Sequence, residues 1–461
     1  MLTTSKDANP NYLCKVFQIH ELRKHSNADR LQMLEIDFNT VITGMDAKEG
    51  DVYVYFPVEC KINKDFLSHT NSFRDYTLNA TYLNAGEKEK LFFDDNKSAR
   101  IVGFFEDKCR VKAMKLRGEK SMGYIVPAST VFGWVYPADY ITDYRKFVGQ
   151  EFDTIADKLL VEKYVVKTRE PRNKQGKEPK VSRLIDGQIH LHVDTENLRR
   201  NAEKIKPQDW ISITYKTHGT SWWVSNVMVQ KKLNWFEKLL KRWGFNIVDT
   251  EYDLIYGSRR VVKNKSMEDP KQQDHFYGYD LWEDIKNEVG ENLPKGYTLY
   301  GECLGFDKNG GAIQKGYDYG CTGNEHKLEV YRITHTNPDG VVTELDYPQM
   351  VQFCNKLGLN TPFLYFWGKA GDWYAENKKE KLGDPVWVDD RDFPEVFVKA
   401  LERTYNEKDC FMCVNKVPEE GIVVRKESLF DCESYKLKSF NFLEWESKEL
   451  DKGESDIESD N

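Results

Sequence analysis

The first 150 residues alternate short apolar runs with polar turns, and no helical period persists through them. Such alternation is typical of half-buried β-strands. Several short strands at irregular spacing favour a small β-barrel, and the OB type is one that binds nucleic acids. We therefore expect an OB-like nucleic-acid-binding domain over residues 1–150. The expected strands are Leu13–Ile19, Leu31–Ile36, Asp51–Phe56, Arg100–Phe105, Cys109–Leu116 and Gly123–Val126.

Further along the chain, strand patterns are mixed with helical ones, so the expected fold class is α+β. Residues 233–243 carry an apolar helical stripe, with Lys238, Lys241 and Arg242 largely off it. A basic amphipathic helix can bind a membrane or a partner, but packing on its own domain is the favoured interpretation. Two more helices are expected, over 280–289 and 393–404.

A strand is also predicted where Ile211, Ile213 and Tyr215 alternate with polar residues, and it ends at Lys216. Gly219 follows, where the backbone can come close to a ligand. A lysine amine is a nucleophile only when it is neutral, so its usual pKa of about 10.4 must be lowered by burial or by a nearby cation. The pattern K-x-x-G alone also fits a surface lysine before a turn. Its interpretation as a nucleophile depends on further motifs.

Five short motifs follow Lys216 in a fixed order. They are G-S-R-R at 257–260, L-Y-G-E at 299–302, L-E-V-Y-R-I at 328–333, E-G-I-V-V-R at 420–425 and Y-K-L-K-S at 435–439. With K-T-H-G at 216–219, they resemble the motifs of the covalent nucleotidyltransferase superfamily of ATP-dependent ligases and capping enzymes. The resemblance covers about residues 160–445. It implies a nucleotidyltransferase domain of ATP-grasp-like antiparallel sheets with helices over 186–445.

The resemblance implies that ATP is the nucleotide and that Lys216 forms a lysyl-AMP intermediate. Lys436 and Lys438 lie on one face of a strand because their spacing is two, and they can hold the α-phosphate. Nearby cations also favour the neutral amine of Lys216. The neighbouring residues implied to bind the nucleotide are Thr217, His218 and Gly219.

Other roles follow from the same resemblance. Glu302 resembles the glutamate that binds the ribose hydroxyls, and Glu420 resembles the one that engages the metal. Mg²⁺ is the expected ion, since few carboxylates hold it together with waters and phosphates, and Mn²⁺ is the alternative. Arg259 corresponds to an arginine that contacts phosphate. Adenine is expected to stack near Tyr331 or Val330.

Architecture separates the candidate members of this superfamily. DNA ligases and capping enzymes carry an OB domain after the K-x-K motif, but too few residues follow Lys438 for one. A β-rich module in front resembles instead the family-five RNA ligases, which seal 3'-OH/5'-phosphate nicks when the 3'-OH strand is RNA. His218, where DNA ligases usually have aspartate, favours the same interpretation. Tyr215 departs from it, since glutamate is common there in RNA ligases.

The expected function is ATP-dependent RNA ligation at nicks in RNA or RNA–DNA duplexes, by a monomer. DNA ligase and guanylyltransferase are the alternative enzymes. A catalytically inactive RNA-binding protein is the alternative of another class. It is disfavoured because a binding module does not need the five residues Lys216, Glu302, Glu420, Lys436 and Lys438.

Charge is unevenly distributed along the 461 residues, whose formal net charge is -8. Residues 446–461 are strongly acidic, which predicts a disordered tail. Residues 151–185 are expected to form a basic linker, because 168–183 are polar and interrupted by proline and glycine. The linker fits either a contact with a phosphate backbone or a solvated loop.

The nine cysteines, an odd number in a long chain, do not suggest a disulfide framework. Only Cys410 and Cys413 form a C-x-x-C pair, and no second pair is available to complete a zinc site. No apolar run is long enough for a membrane span, and the polar N-terminus does not resemble a secretory signal. We therefore expect no membrane partner and a cytoplasmic location.

Overall fold

The computed structural model describes residues 1–137, 140–165, 183–192, 194–263, 277–378, 388–428 and 432–452. The chain divides into two compact units. The first unit comprises Met1–Val165 and Leu443–Lys452, and the second comprises Val166–Phe442 and Gly453–Asn461. Part of the expected linker, residues 166–182, lies outside the described residues.

Several small sheets make up the first unit. The largest has four antiparallel strands in the order Tyr124–Pro127, Val52–Phe56, Cys14–Gln18 and Glu151–Phe152. Its apolar face contributes to a core that includes Val16, Val54 and Phe56. The other strands are Leu2–Thr3, Arg23–Lys24, Leu31–Ile36, Asn39–Gly44, Cys60–Ile62, Ala113–Leu116, Glu119–Met122, Thr154–Ile155, Lys158–Leu159 and Val161–Lys163.

No closed barrel forms among the described strands of the first unit, so the expected OB-like barrel is not confirmed. Leu31–Ile36 pairs only with Arg23–Lys24 and Asn39–Gly44, in a three-stranded sheet of its own. The predicted strand over 100–105 is also wrong. There the N–H groups of Phe104 and Phe105 bond to Ser72 O in a loop, and one isolated bridge forms. Helices also interrupt the strands, at Lys64–His69, Ala80–Leu83, Glu87–Asp95 and Ala128–Gly133.

The acidic end of the chain begins within a helix, Phe440–Asp451. In the first unit, Arg110 donates to Ser447 O at 2.7 Å and to Asp451 Oδ1 at 2.9 Å. Lys112 Nζ lies 2.7 Å from Asp451 Oδ2. The expected disordered tail therefore differs from the structure over 446–452, because ion pairs and helix packing order those residues. Residues 453–461 lie outside the described part.

Two sheets form the second unit. One has five strands in the order Glu196–Asn197, Glu433–Lys438, Gly421–Lys426, Trp210–Lys216 and Leu364–Lys369. The other has six, in the order Val262–Lys263, Thr250–Ser258, Thr220–Gln230, Tyr297–Gly305, His326–Thr336 and Val342–Glu344. All pairings are antiparallel except that of the first two strands of the five-stranded sheet. This mixture of sheets and helices agrees with the expected α+β class.

The helices of the second unit include those expected at 280–289 and 393–404. They are Leu198–Asn201, Trp235–Arg242, Leu281–Val289, Tyr347–Leu357, Ala370–Asn377 and Phe393–Tyr405. Trp282 and Ile285 bury one face of their helix in a core with Trp222 and Leu299. Trp235–Arg242 differs, because none of its residues is buried. Leu239 and Leu240 are half-buried, so the favoured expectation that the helix packs on its own domain stays a prediction. Among the described residues, every helix is too short or too polar to cross a membrane.

The chain passes from the five-stranded sheet to the six-stranded one through a short loop. Trp210–Lys216 lies in the five-stranded sheet, and Thr220–Gln230 starts the central part of the six-stranded one. The loop between them is Thr217–Gly219. A Cβ on Gly219 would lie 2.3 Å from Cys303 O, so only glycine fits where the loop meets the second sheet.

Candidate active site

The row Lys216–Gly421–Lys438 crosses three neighbouring strands of the five-stranded sheet. Lys216 is paired with Gly421, and Gly421 with Lys438. The two lysines thus lie at matching positions on the outer strands of this trio. Glu420 immediately precedes the middle strand, so its side chain starts next to both.

Glu420 connects the two lysines. Lys216 Nζ lies 2.7 Å from Glu420 Oε1, and Lys438 Nζ lies 3.9 Å from the same oxygen. The Glu420 side chain is 1% exposed and that of Lys216 is 15% exposed. A buried carboxylate needs such cations, since removal from water disfavours its charge. Two ammonium groups against one carboxylate leave an excess of positive charge for an anionic ligand.

Gly421 is the position that makes this row possible. Its φ is +138°, and a Cβ there would lie 2.1 Å from Leu437 O. A larger residue would push the strands carrying the two lysines apart. The backbone after the glutamate is further fixed by Ser439, whose N–H donates to Glu420 O at 2.9 Å.

Lys436 lies two residues before Lys438 on the same strand, as predicted. The intervening Leu437 and the preceding Tyr435 are buried, so the two lysines share the opposite, less buried face. Lys436 is paired with Val423 on one side and with Asn197 on the other. The K-x-K motif therefore presents both cations on one side of the sheet.

Glu302 lies on the other sheet but contacts the same loop. Gly219 N–H donates to Glu302 Oε1 at 3.2 Å, and Ser221 Oγ donates to Oε2 at 3.2 Å. Glu302 is opposite Ser221 on one neighbouring strand and opposite Glu329 on the other. This carboxylate therefore fixes the end of the K-T-H-G motif through neutral donors.

Glu329 is a site residue that the sequence did not indicate. It is 5% exposed, and Thr217 Oγ1 donates to its Oε2 at 3.1 Å. Burial raises the pKa of Glu329 to about 7, although the hydrogen bond from Thr217 acts in the other direction. The one feature of the sequence that could have indicated Glu329 was its position in the L-E-V-Y motif, on the strand that follows the Gly-Glu motif.

His218 is fixed through its backbone and its ring. Its N–H donates to Tyr319 Oη at 2.6 Å, and its ring makes edge contacts with Tyr317 and Phe442, both with centroids 5.1 Å apart. Its Nδ1 lies 3.8 Å from Glu420 Oε2. The loop thus places His218 beside the carboxylate that contacts Lys216. Tyr319 is a further residue that the motifs did not reveal.

The side chains of Arg259 and Tyr331 contact other groups of the protein. Arg259 forms an ion pair with Asp194 at 2.8 Å, just after the strand that ends at Ser258. The Tyr331 hydroxyl lies 3.4 Å from His192 Nδ1, and the two rings meet edge to face. Their expected contacts with phosphate and adenine stay predictions.

The segment that contains the C-x-x-C pair contacts the strand that ends at Lys216. The ring of Tyr215, the residue before Lys216, makes an edge contact with Phe411 at 5.1 Å, and Tyr319 N–H donates to Cys413 Sγ at 3.4 Å. Cys410 is buried, and a hydrogen bond with the Cys413 thiol lowers its pKa. The described residues contain no cluster of three or more His, Cys, Asp or Glu side chains that could hold a metal.

A Mg²⁺ or Mn²⁺ ion nevertheless fits at Glu420. Its Oε2 is buried and accepts no hydrogen bond from any described residue. Mg²⁺ commonly uses only one or two carboxylates and completes its shell with water and substrate phosphates. One buried carboxylate beside the lysine row is therefore a sufficient protein contribution.

Comparison with known proteins shows that the part of the chain that forms this site matches one family. The profile of the RNA ligase family matches residues 210–440, which is half of the chain. The match begins with the strand of Lys216 and ends just after the K-x-K strand. A comparison with curated protein sequences finds no significant match.

The chain is also similar to solved structures of a Naegleria gruberi RNA ligase. A mutant with AMP and Mn has 13% identity and a TM-score of 0.53, over 94% of this chain and 98% of that chain. A mutant with ATP and Mn has 13% identity and a TM-score of 0.52, with the same coverage. An apo mutant has 14% identity and a TM-score of 0.52, again over 94% and 98%. At such identities, the similarity shows a shared fold across both units.

Proposed function

Because the chain belongs to the RNA ligase family, we propose that it joins 3'-OH and 5'-phosphate RNA ends with ATP, through a covalent AMP on Lys216. The family match confirms the expectation of an RNA ligase at the level of family, and the fold agrees with it. One observation supports the mechanism most strongly. The ammonium groups of Lys216 and Lys438 both lie near the same buried oxygen of Glu420.

In the first step, the Lys216 amine attacks the α-phosphorus of ATP. A P–N bond forms, the bond to the β-phosphate oxygen breaks, and pyrophosphate leaves. Lys216 must first lose a proton to solvent. The positive charge of Lys438 favours this loss, whereas the Glu420 carboxylate 2.7 Å away opposes it. Lys436 and Lys438, on one face of their strand, supply charge against the developing negative charge on the phosphoryl oxygens.

Two further steps complete the reaction. An oxygen of the RNA 5'-phosphate attacks the phosphorus of the lysyl-AMP, which releases the amine of Lys216 and leaves AMP joined to the RNA end. The 3'-OH then attacks the 5'-phosphorus and AMP leaves. In this proposal Glu302 holds the ribose, His218 and Gly219 position the loop, and Tyr331 stacks on adenine.

Glu420 is the residue that would hold the divalent ion. When bound, such an ion supplies positive charge against the phosphates of ATP. The related Naegleria gruberi structures contain Mn together with AMP or ATP, which supports ATP with Mg²⁺ or Mn²⁺ here.

For the substrate, we propose nicked duplexes in which the 3'-OH strand is RNA, with the first unit contacting nucleic acid. The support is the β-rich first unit in front of the catalytic one and the histidine in K-T-H-G. An enzyme that needs RNA geometry at the 3' end places the attacking hydroxyl in line only when the terminal sugars are ribose.

Labelling with α-³²P ATP tests the first step. We expect a covalent label on the full chain with Mg²⁺ or Mn²⁺, and none on Lys216→Ala. Lys426→Ala, in the same sheet but paired with Asp209 at 3.1 Å, should label normally. Stronger labelling by GTP would indicate a guanylyltransferase, and no labelling by either nucleotide would leave an RNA-binding protein.

A second experiment tests the choice of substrate. Nicked duplexes with pre-adenylylated 5' ends are compared, differing only in the terminal sugars of the 3'-OH strand. We expect faster sealing of RNA-ended nicks, with DNA tolerated on the 5'-phosphate side. Equal rates with all-DNA nicks would reject the RNA specificity and favour a DNA ligase.

A further inference from the structure

Residues 231–249, here called the outer segment, form an excursion between two paired strands of the six-stranded sheet. Lys231 N–H donates to Asp249 O at 2.7 Å and closes the segment at its base. The helix Trp235–Arg242 begins with a capping box between Asn234 and Glu237. The segment is thus a defined element, and its role is not explained by the nucleotide site.

Aromatic side chains dominate its exposed surface. Trp235, Phe236, Trp243 and Phe245 are 77%, 51%, 66% and 59% exposed, and Val248 is the one aliphatic residue among the large exposed side chains. The aliphatic residues Leu233, Leu239, Leu240 and Ile247 are half-buried. The segment therefore turns its aliphatic side chains inward and its aromatic rings outward.

The segment also has an excess of positive charge. Lys231 pairs with Glu237 at 2.7 Å, and Lys241 pairs with Asp249 at 2.6 Å. The remaining cations, Lys232, Lys238 and Arg242, form no ion pair with any described residue. The formal net charge of the whole chain is -8, so this local excess of positive charge favours binding of an anionic partner at the outer segment.

The segment is remote from the nucleotide site along its own hairpin. Ser221, which contacts Glu302, is at one end of the strand Thr220–Gln230, and the segment follows the other end. At about 3.3 Å per residue, the two ends are on the order of 30 Å apart. Any ligand of the segment must therefore be separate from ATP.

We propose that the outer segment is a second RNA contact, which binds single-stranded RNA by stacking bases on its exposed aromatic rings. Basic residues around aromatic platforms are the arrangement that binds single strands without sequence preference. A membrane-binding helix would instead present aliphatic side chains to the lipid together with the aromatic ones. The identity of the anion as RNA rests on the proposed function, whereas the surface itself does not.

Binding of a fluorescein-labelled single-stranded oligouridine to the full chain, without ATP, tests the proposal. Trp235→Leu with Trp243→Leu keeps apolar side chains but removes the rings, and we expect affinity to fall tenfold or more. The matched pair Trp235→Phe with Trp243→Phe retains rings and should stay within about threefold of wild type. If the leucine pair binds as tightly as the wild type, the proposal is wrong.

Salt dependence gives an independent measure. Replacing Lys232, Lys238 and Arg242 by glutamine should reduce the slope of log affinity against log salt by about 2, since each phosphate contact contributes about 0.7 for single strands. Lys356→Gln, on an exposed helix position elsewhere, should leave the slope unchanged. An unchanged slope in the triple variant would also contradict the proposal.

Flotation with phosphatidylcholine vesicles, with and without phosphatidylserine, distinguishes the other anionic partner. Flotation of the wild type with anionic vesicles, retained in the leucine pair, together with no RNA binding, would identify a membrane contact instead. All variants should still label Lys216 with ATP. Failure of labelling in the wild type would reject the proposed function. The oligonucleotide measurement would still show whether the outer segment binds single-stranded RNA.

Discussion

The two sheets of the second unit hold their buried carboxylates in different ways. On the five-stranded sheet, Glu420 faces the ammonium groups of Lys216 and Lys438. On the six-stranded sheet, Glu302 and Glu329 receive hydrogen bonds from neutral donors, which are Thr217 and Gly219 of the loop that joins the sheets and Ser221 of the next strand. The first arrangement is suited to phosphate and metal charge. The second fixes the loop geometry.

This difference has an electrostatic consequence. A carboxylate beside cations keeps its charge because the cations offset the cost of leaving water. Hydrogen bonds from hydroxyl and amide groups offset less, and burial accordingly raises the pKa of Glu329 to about 7. The six-stranded sheet therefore contains a carboxyl group that titrates near neutral pH.

The largest effect is expected from neutralising the carboxylate of the five-stranded sheet. Glu420→Gln leaves Lys216 and Lys438 facing a neutral amide and removes the proposed ligand for the divalent ion, so the rate of adenylylation should fall on the order of a hundredfold or more. Initial rates of labelling with α-³²P ATP measure it. The adjacent Glu419→Gln should retain most of the activity. Wild-type rates in Glu420→Gln would remove the distinction between the sheets.

A backbone change should disrupt the same sheet through geometry alone. Gly421→Ala places a Cβ 2.1 Å from Leu437 O at a φ of +138°, and we expect a loss of about 3 kcal/mol in unfolding free energy together with slow labelling. Urea denaturation measures the stability. Gly133→Ala, which has open space around the added Cβ, is the control and should change stability by less than about 1 kcal/mol.

The buried carboxyl group of Glu329 on the six-stranded sheet should make the stability of the protein depend on pH. Between the ordinary carboxyl pKa of 4.5 and about 7, folded Glu329 keeps a proton that the unfolded chain releases. Stability should therefore fall as pH rises through this window, and the decrease should be smaller in Glu329→Gln by on the order of 1–3 kcal/mol. Urea denaturation at pH 4.5, 6 and 8 measures the difference. Parallel profiles for the two proteins would show that Glu329 titrates normally.

Burial also raises the pKa of Glu419 to about 7, which acts in the same direction. That carboxyl group is present in both the wild type and Glu329→Gln. The difference between their profiles therefore isolates Glu329.

The smallest effect concerns the loop itself. Thr217→Val keeps the shape of the side chain but removes the hydroxyl that donates to Glu329, so we expect adenylylation to slow only several-fold. Thr214→Val, on the preceding strand, is the matched control and should leave the rate unchanged. A loss as large as that of Glu420→Gln would mean that the six-stranded sheet contributes to the chemistry as strongly as its neighbour.

The local sequence pattern was sufficient to predict the strands that carry Lys216 and Lys438. Alternation predicted the strand that ends at Lys216, and the spacing of Lys436 and Lys438 predicted their common face. Antiparallel pairing then brings these residues together. Glu329, Tyr319 and their hydrogen bonds to the loop were not predicted, because those contacts arise from tertiary packing and leave no periodic signal.

The first unit shows the same limit. The strand over Leu31–Ile36 was predicted with its observed ends, but its partners were not, and the expected barrel is not confirmed. Strand propensity is local, whereas pairing depends on the whole unit. Likewise, composition predicts disorder for the acidic residues before 453, although Asp451 pairs with Arg110 and Lys112.

The row Lys216–Gly421–Lys438 also determines when activity arises during synthesis of the chain. Lys216 is more than two hundred residues before Gly421 and Lys438 in sequence, yet the three residues lie in one row of adjacent paired strands. Such non-local pairing is slow to form, because the intervening loop must close before the contacts stabilise it. A nascent chain that has not yet released residue 438 from the ribosome cannot assemble the row. The proposed reaction of Lys216 with ATP can therefore begin only after the last strand of the sheet has been made.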